Sequence, residues 1–281
     1  MPHSAYWTTL SGCNRCRRLQ GGGASGTHTS MATMDAQTER TLTSFRDALV
    51  EQLGDELGSM ILFGSGTGSH YLDEVSDLNL LIVLETASMS ALETTRSALR
   101  DHKQIAVDPV IVTRGELERL PEAFPIETAD MQAAHRVLSG EDVLRGLNVR
   151  SEAIREQLVA EVLGKTMRLR TVFAHAKRGD AKQLRALLIQ AIGPFAALMR
   201  AALHVGDAHF AEFAPPREFL EILAQMEERF GMELEGFRSA SLIKSGDETP
   251  DGVELAAIFE KVLTEAEGLR TLVESIRSEA A

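Results

Sequence analysis

The residues with the clearest capacity for chemistry are Leu62-Phe63-Gly64-Ser65 and, a dozen positions on, Ser76-Asp77-Leu78-Asn79-Leu80-Leu81-Ile82-Val83. A strand that runs into Gly-Ser lets a polyphosphate approach the backbone closely, with amide hydrogens and the Ser65 hydroxyl as donors. Side chains alternate along a strand, so Asp77 and Asn79 project to one face at the strand's entry. A third oxygen ligand from an adjacent strand would complete a site for magnesium, and Asp108 in Val107-Asp108-Pro109-Val110 is suitably positioned in the sequence. Pro109 has no amide hydrogen. Its strand must therefore lie at an edge or leave that position unpaired.

The elements that must hold these residues can be read from hydrophobic spacing. Leu42, Phe45, Leu49 and Leu53 fall three and four apart and predict a helix over Thr38–Leu57, closed by Gly58. Short apolar runs predict strands at Met60–Phe63, Leu78–Leu84 and Ile105–Val112, with a helix over Ser90–His102 between the last two. Strands separated by helices make an α/β layer. Beyond Leu147 only helical signals remain. One helix starts at Ser151 and should end at Gly179; a second starts at Asp180, with Gln183 in the capping-box position. Further helices are expected over Pro216–Phe230 and from Asp251 onward. Pro194 should kink the second of these helices without ending it. Four long amphipathic helices with short connections form a bundle. The expected division is a leader over 1–34, an α+β domain over 35–149 and a helical domain over 150–281.

In these residues the chain resembles the nucleotidyltransferases of the DNA polymerase β superfamily. The likeness is to the small bacterial, kanamycin-nucleotidyltransferase-like enzymes with a helical C-terminal domain. Gly64 and Ser65 match the family's turn, Asp77 its first acid and Asp108 its third. Phe124-Pro125-Ile126-Glu127 through Asp130-Met131, then Val137-Leu138-Ser139-Gly140-Glu141, resembles the segment leading into the helical domain. The resemblance implies an α+β mixed sheet with flanking helices followed by an all-α bundle. It implies Mg2+-dependent transfer of a nucleoside monophosphate from a nucleoside triphosphate to a hydroxyl on a small molecule or protein. Gly64 and Ser65 would hold nucleotide, Asp77 and Asp108 metal, and Asp77, Asn79 and Asp108 would form the catalytic set. One departure matters: the family's second acid is Asn79 here. Asn keeps a neutral oxygen ligand and loses a charge, which should weaken the metal that activates the attacking hydroxyl. The alternative is a degenerate module that binds nucleotide or a protein partner without turnover. Gly66 is a smaller departure, since active relatives often carry a larger or basic residue there.

Other carboxylates could replace the missing acid. Asp73 and Glu74 precede the strand and Glu85 follows it, while Glu127 and Asp130 could be site ligands or helix N-terminal charges. The totals narrow the partners. A net charge of −12 over 281 residues argues against general nucleic-acid coating, although a local basic patch stays open. No uninterrupted apolar run is long enough to span a bilayer, so a cytoplasmic protein without membrane contact is expected; self-association stays open. Cys13 and Cys16 form a lone CxxC, with His28 the nearest further ligand, short of a zinc set, in a leader rich in Gly and Ser. Translation from Met31 or Met34 would omit most of it. Arg170 and His175 match the spacing of some helical ribonucleases, but with Lys177 and Arg178 they read more simply as cations at a helix C-terminus.

Overall fold

A computed structural model describes residues 34–67, 78–177, 180–206, 216 and 218–279. Cys13, Cys16, His28, Met31, Asp73, Glu74, Asp77, Arg178 and Gly179 lie outside the described residues, as do the side chains of Ser65 and Gly66. The chain divides into two compact units between Val149 and Arg150.

The first unit is built on a four-stranded mixed sheet. The strands are β1 (Leu57–Phe63), β2 (Leu78–Leu84), β3 (Val107–Thr113) and β4 (His135–Gly140), in the order β3-β2-β1-β4. β1 pairs antiparallel with both β2 and β4, while β2 and β3 run parallel. The parallel pair needs a crossover, supplied by helix α2 (Met89–Asp101) with Ser88 as its N-cap. β3 is an edge strand, which accommodates Pro109 as expected.

Both sheet faces are covered, which is why β2 is apolar on both sides. On one face, Leu78, Leu80, Ile82 and Leu84 pack with Met60 and Leu62 against α1 (Ala36–Leu53) and α2. On the other, Leu81 and Val83 pack with Ile61, Val110 and Val112 against Leu117, Leu120 and Met131. Those last residues come from three short helices, α3 (Arg114–Leu117), α4 (Leu120–Ala123) and α5 (Pro125–Ala133).

Several boundaries differ from the sequence expectation. α1 stops at Leu53, where Gly54 takes φ +51°, and residues 54–56 form a 3-10 turn. Gly58 therefore lies within β1 and does not cap the helix. Met34, assigned to the leader, packs against the α1 core. Asp35 caps α1 by accepting from the amides of Gln37 and Thr38 at 2.6 and 3.0 Å. β4, α3 and α4 were not expected at all.

The second unit contains five helices among the described residues: α6 (Ser151–His175), α7 (Ala181–Val205), α8 (Phe219–Phe230), α9 (Glu235–Ser245) and α10 (Gly252–Glu279). α9 is the addition to the expected four. α6 ends at His175, four residues before Gly179. Asp180 accepts the Gln183 amide at 2.9 Å, but the Gln183 side chain accepts from Lys177 instead of closing a capping box. α7 runs unbroken through Pro194. It also has the length and composition of a bilayer-crossing helix, contrary to the expectation drawn from apolar run length alone. In the bundle most of its apolar residues face the core, and 61% of its most apolar window is buried.

Glu265 ties α10 to α9. Its buried carboxylate accepts the amides of the second and third residues of α9, from Gly236 at 2.6 Å and Phe237 at 2.9 Å. This satisfies orphan donors at a helix N-terminus from outside the helix. A Cβ at Gly236 would meet Lys261 Cβ and the Val262 amide nitrogen at 2.7 Å, so only glycine allows this approach.

Candidate functional site

The site begins where β1 ends. Phe63 is in register with Asn79 on one side and with His135 on the other. Asn79 in turn is in register with Asp108 on β3. By strand alternation with Leu81 and Val83, and with Val110 and Val112, both side chains lie on the sheet face covered by α3 to α5. Asn79 is the one residue of β2 that is not buried, and Asp108 is likewise half-exposed. Two oxygen-bearing side chains therefore sit side by side at one end of the sheet, next to the Gly-Ser turn.

Gly64 turns the chain at this corner with φ +75°, a conformation that costs any other L-residue. A Cβ there would also lie 3.1 Å from Asn79 Nδ2, so the turn and the Asn79 amide are in contact. The Gly64 amide donates to the Ala134 carbonyl at 3.1 Å, and Thr67 Oγ1 donates to the Gly64 carbonyl at 2.8 Å. Gly64 was expected to offer its amide to phosphate. That amide is engaged by the segment before β4, so Gly64 contributes conformation and closeness. Ser65 occupies the following 3-10 turn, Gly64–Thr67.

The wall beside this corner was not visible in sequence. Gln132 on α5 donates through Nε2 to the carbonyls of Leu144 and Leu147, both at 2.8 Å. His135 pairs with the Gln132 carbonyl through Nδ1 at 3.1 Å and with Asp142 through Nε2 at 3.0 Å. Arg136 grips Glu39 with two bonds of 2.8 and 2.9 Å and fixes edge strand β4 to α1. No motif marks Gln132 or His135, because their partners are backbone carbonyls and a residue beyond the strand.

The other acids sort by position. Glu85 lies past the far end of β2, about 20 Å from Asn79 at the usual rise per strand residue. There it bonds Arg114 at 2.9 Å, and the guanidinium holds the carboxyl below its ordinary range. Glu85 cannot replace the missing acid. Glu127 occupies the first turn of α5, where a helix N-terminus favours a negative charge, and Asp130 sits half-buried one turn on. Among the described residues no three His, Cys, Asp or Glu side chains converge as a metal site would. Arg170 bonds Glu267 on α10, and His175, five residues further on, lies on another face of α6. A shallow hollow of about 110 Å³ lined by Glu39, Arg46 and Arg136 lies one strand away from the Asn79–Asp108 pair. It is smaller than the roughly 300 Å³ at which small-molecule pockets begin.

No protein-family model matches the chain, and no curated protein matches it in sequence. Among solved structures it is similar to spectinomycin adenyltransferase from Enterococcus faecialis, determined with ATP and spectinomycin. The TM-score is 0.52 at 13% identity, over 84% of this chain and 99% of that one. At that identity the likeness speaks to architecture. The chain has a nucleotidyltransferase-like fold: a mixed sheet with flanking helices, followed by a helical bundle.

Proposed function

We propose that the chain transfers a nucleoside monophosphate from a nucleoside triphosphate to a hydroxyl of a small molecule or protein. The observation that carries this reading is the in-register pair Asn79 and Asp108 beside the φ +75° turn at Gly64. The fold neighbour, determined with ATP and a small-molecule acceptor, supports it. Gly64 removes the side chain that would block the phosphates, and the 3-10 turn at Ser65 and Gly66 supplies the next amides. Asp108 supplies a carboxylate and Asn79 a neutral carbonyl oxygen. Asp77, two positions before Asn79, would add a second carboxylate.

This donor set is all oxygen and suits a hard divalent cation. Magnesium bound with the triphosphate would neutralise phosphate charge during transfer. With Asn79 in place of an acid, the protein offers one negative charge fewer, and the ion is held largely by the nucleotide's own phosphates. That weakness favours a second reading, nucleotide binding without turnover. Calorimetric titration with ATP and magnesium, followed by an AMP-transfer assay against cell extract, separates the two. Binding with transfer supports the enzyme, binding alone the degenerate module, and no binding contradicts both.

A further inference from the structure

A glycine at positive φ turns the chain easily but does nothing to hold the turn in one conformation. At Gly64 the hold comes from outside, since its amide donates to the Ala134 carbonyl at 3.1 Å. Ala134 is an extended residue between α5 and β4, and the side chains on either side of it are anchored. His135 is the more informative of the two. Its Nδ1 pairs with the Gln132 carbonyl at 3.1 Å and its Nε2 with Asp142 Oδ1 at 3.0 Å. The same Asp142 oxygen accepts the Arg145 amide at 3.3 Å, so the carboxylate is itself fixed by its own loop.

His135 also lies on the working face of the sheet. By alternation with Val137 its side chain shares the face that carries Asn79 and Asp108. The register across the four strands runs Asp108, Asn79, Phe63, His135. That places His135 two strands, about 10 Å, from Asn79, too far to share a ligand atom with it. It is one residue from the carbonyl that pins the turn. We propose that His135 is a positioning residue for the nucleotide: through Ala134 it fixes the Gly64–Thr67 turn, whose following amides meet the phosphates. This role depends on the nucleotide reading of that turn. Without the pin the turn samples other conformations, and ordering it again on binding costs affinity.

Calorimetric titration of magnesium-ATP into the full chain, well below its melting temperature and with folding checked by circular dichroism, tests this. His135→Ala and Asp142→Ala should each weaken binding about fivefold or more. The double variant should match His135→Ala, because both changes break one contact. Asp142 is exposed, so its replacement keeps the test open even where His135→Ala folds poorly. Asp142→Asn keeps an acceptor oxygen and adds a donor, so the pair holds whichever ring nitrogen carries the proton, and affinity should stay close to wild type. A role confined to folding would lower the melting temperature and leave the dissociation constant of the folded protein unchanged, which overturns the proposal. Weakening by His135→Ala but not by Asp142→Ala also overturns it, since the ring would then act on the ligand directly. A wild type that does not bind removes the nucleotide reading and this role together, whereas wild-type binding with indifferent variants removes this role alone.

Discussion

Asn79 on β2 stands directly opposite Asp108 on β3, and its amide nitrogen lies 3.1 Å from where a Cβ on Gly64, after the end of β1, would sit. Three strands thus bring an amide, a carboxylate and a backbone turn to one corner. The relationship depends on the parallel pairing of β2 with β3. Any shift of that register by one residue would send Asp108 to the opposite face.

Gly64 is the most sensitive backbone position in this corner. Gly64→Ala must place a Cβ at positive φ and 3.1 Å from the Asn79 amide. The expected loss is about 1–2 kcal/mol of stability, read as a lower urea midpoint at unchanged m-value. A neutral substitution would mean that the turn adopts another conformation.

Gln132 is expected to matter to the first unit without touching any ligand. Gln132→Ala removes the donor to two carbonyls, Leu144 and Leu147, and should cost about 1–3 kcal/mol. Hydrogen exchange should localise the effect to residues 141–149. An effect spread evenly over the unit would count against this clamp.

In the bundle, Glu265→Ala leaves the Gly236 and Phe237 amides in the first turn of α9 without this acceptor, and Gly236→Ala forces α9 away from α10. Each should lower stability by about 1–3 kcal/mol. Because both act on one contact, their effects should fall short of additivity in a double-mutant cycle.

Two acids in this unit titrate unusually. Burial pushes the Glu161 carboxyl above its ordinary value, opposed by Lys165, and burial does the same to Glu265, opposed by the α9 amides. A raised carboxyl pKa means that the folded state holds the proton more tightly than the unfolded chain. Stability from that source is present at low pH and declines as pH rises from about 4.5 through the folded pKa. Glu161→Gln removes the titration. Its stability relative to the wild type should therefore increase across that window, in denaturant melts at successive pH values. A constant difference would mean that Glu161 does not titrate differently on folding.

How far the sequence reveals the fold varies with the physics of each element. β2 is legible to its ends because it is an apolar run broken by one polar residue, Asn79. β4 is not, because His135-Arg136-Val137-Leu138-Ser139-Gly140 is an edge strand with two apolar residues. α9 is obscured by Gly236, Ser239 and Ser241, and it is capped by Glu265 from a distant helix. At the site, spacing identifies Asn79 and Asp108, and the resemblance supplies their roles. The bond from the Gly64 amide to Ala134 and the Gln132 clamp are tertiary, and no local pattern encodes them.

The departure at Asn79 also predicts its own repair. Asn79→Asp adds a charge beside Asp108, so without metal the site should lose stability through repulsion. With magnesium, the ion should bind more tightly and transfer should rise at least about tenfold, roughly 1.4 kcal/mol of barrier. A variant no faster than the wild type would mean that the site works with its present ligands.

The most direct test follows label from the α-phosphate of ATP into acceptors in cell extract, with magnesium, for wild type and Asp108→Asn. Circular dichroism establishes that both are folded. The wild type should transfer labelled nucleoside monophosphate, and Asp108→Asn should not. Transfer that survives in Asp108→Asn, or a folded wild type that neither binds nor transfers nucleotide, would contradict the proposed activity.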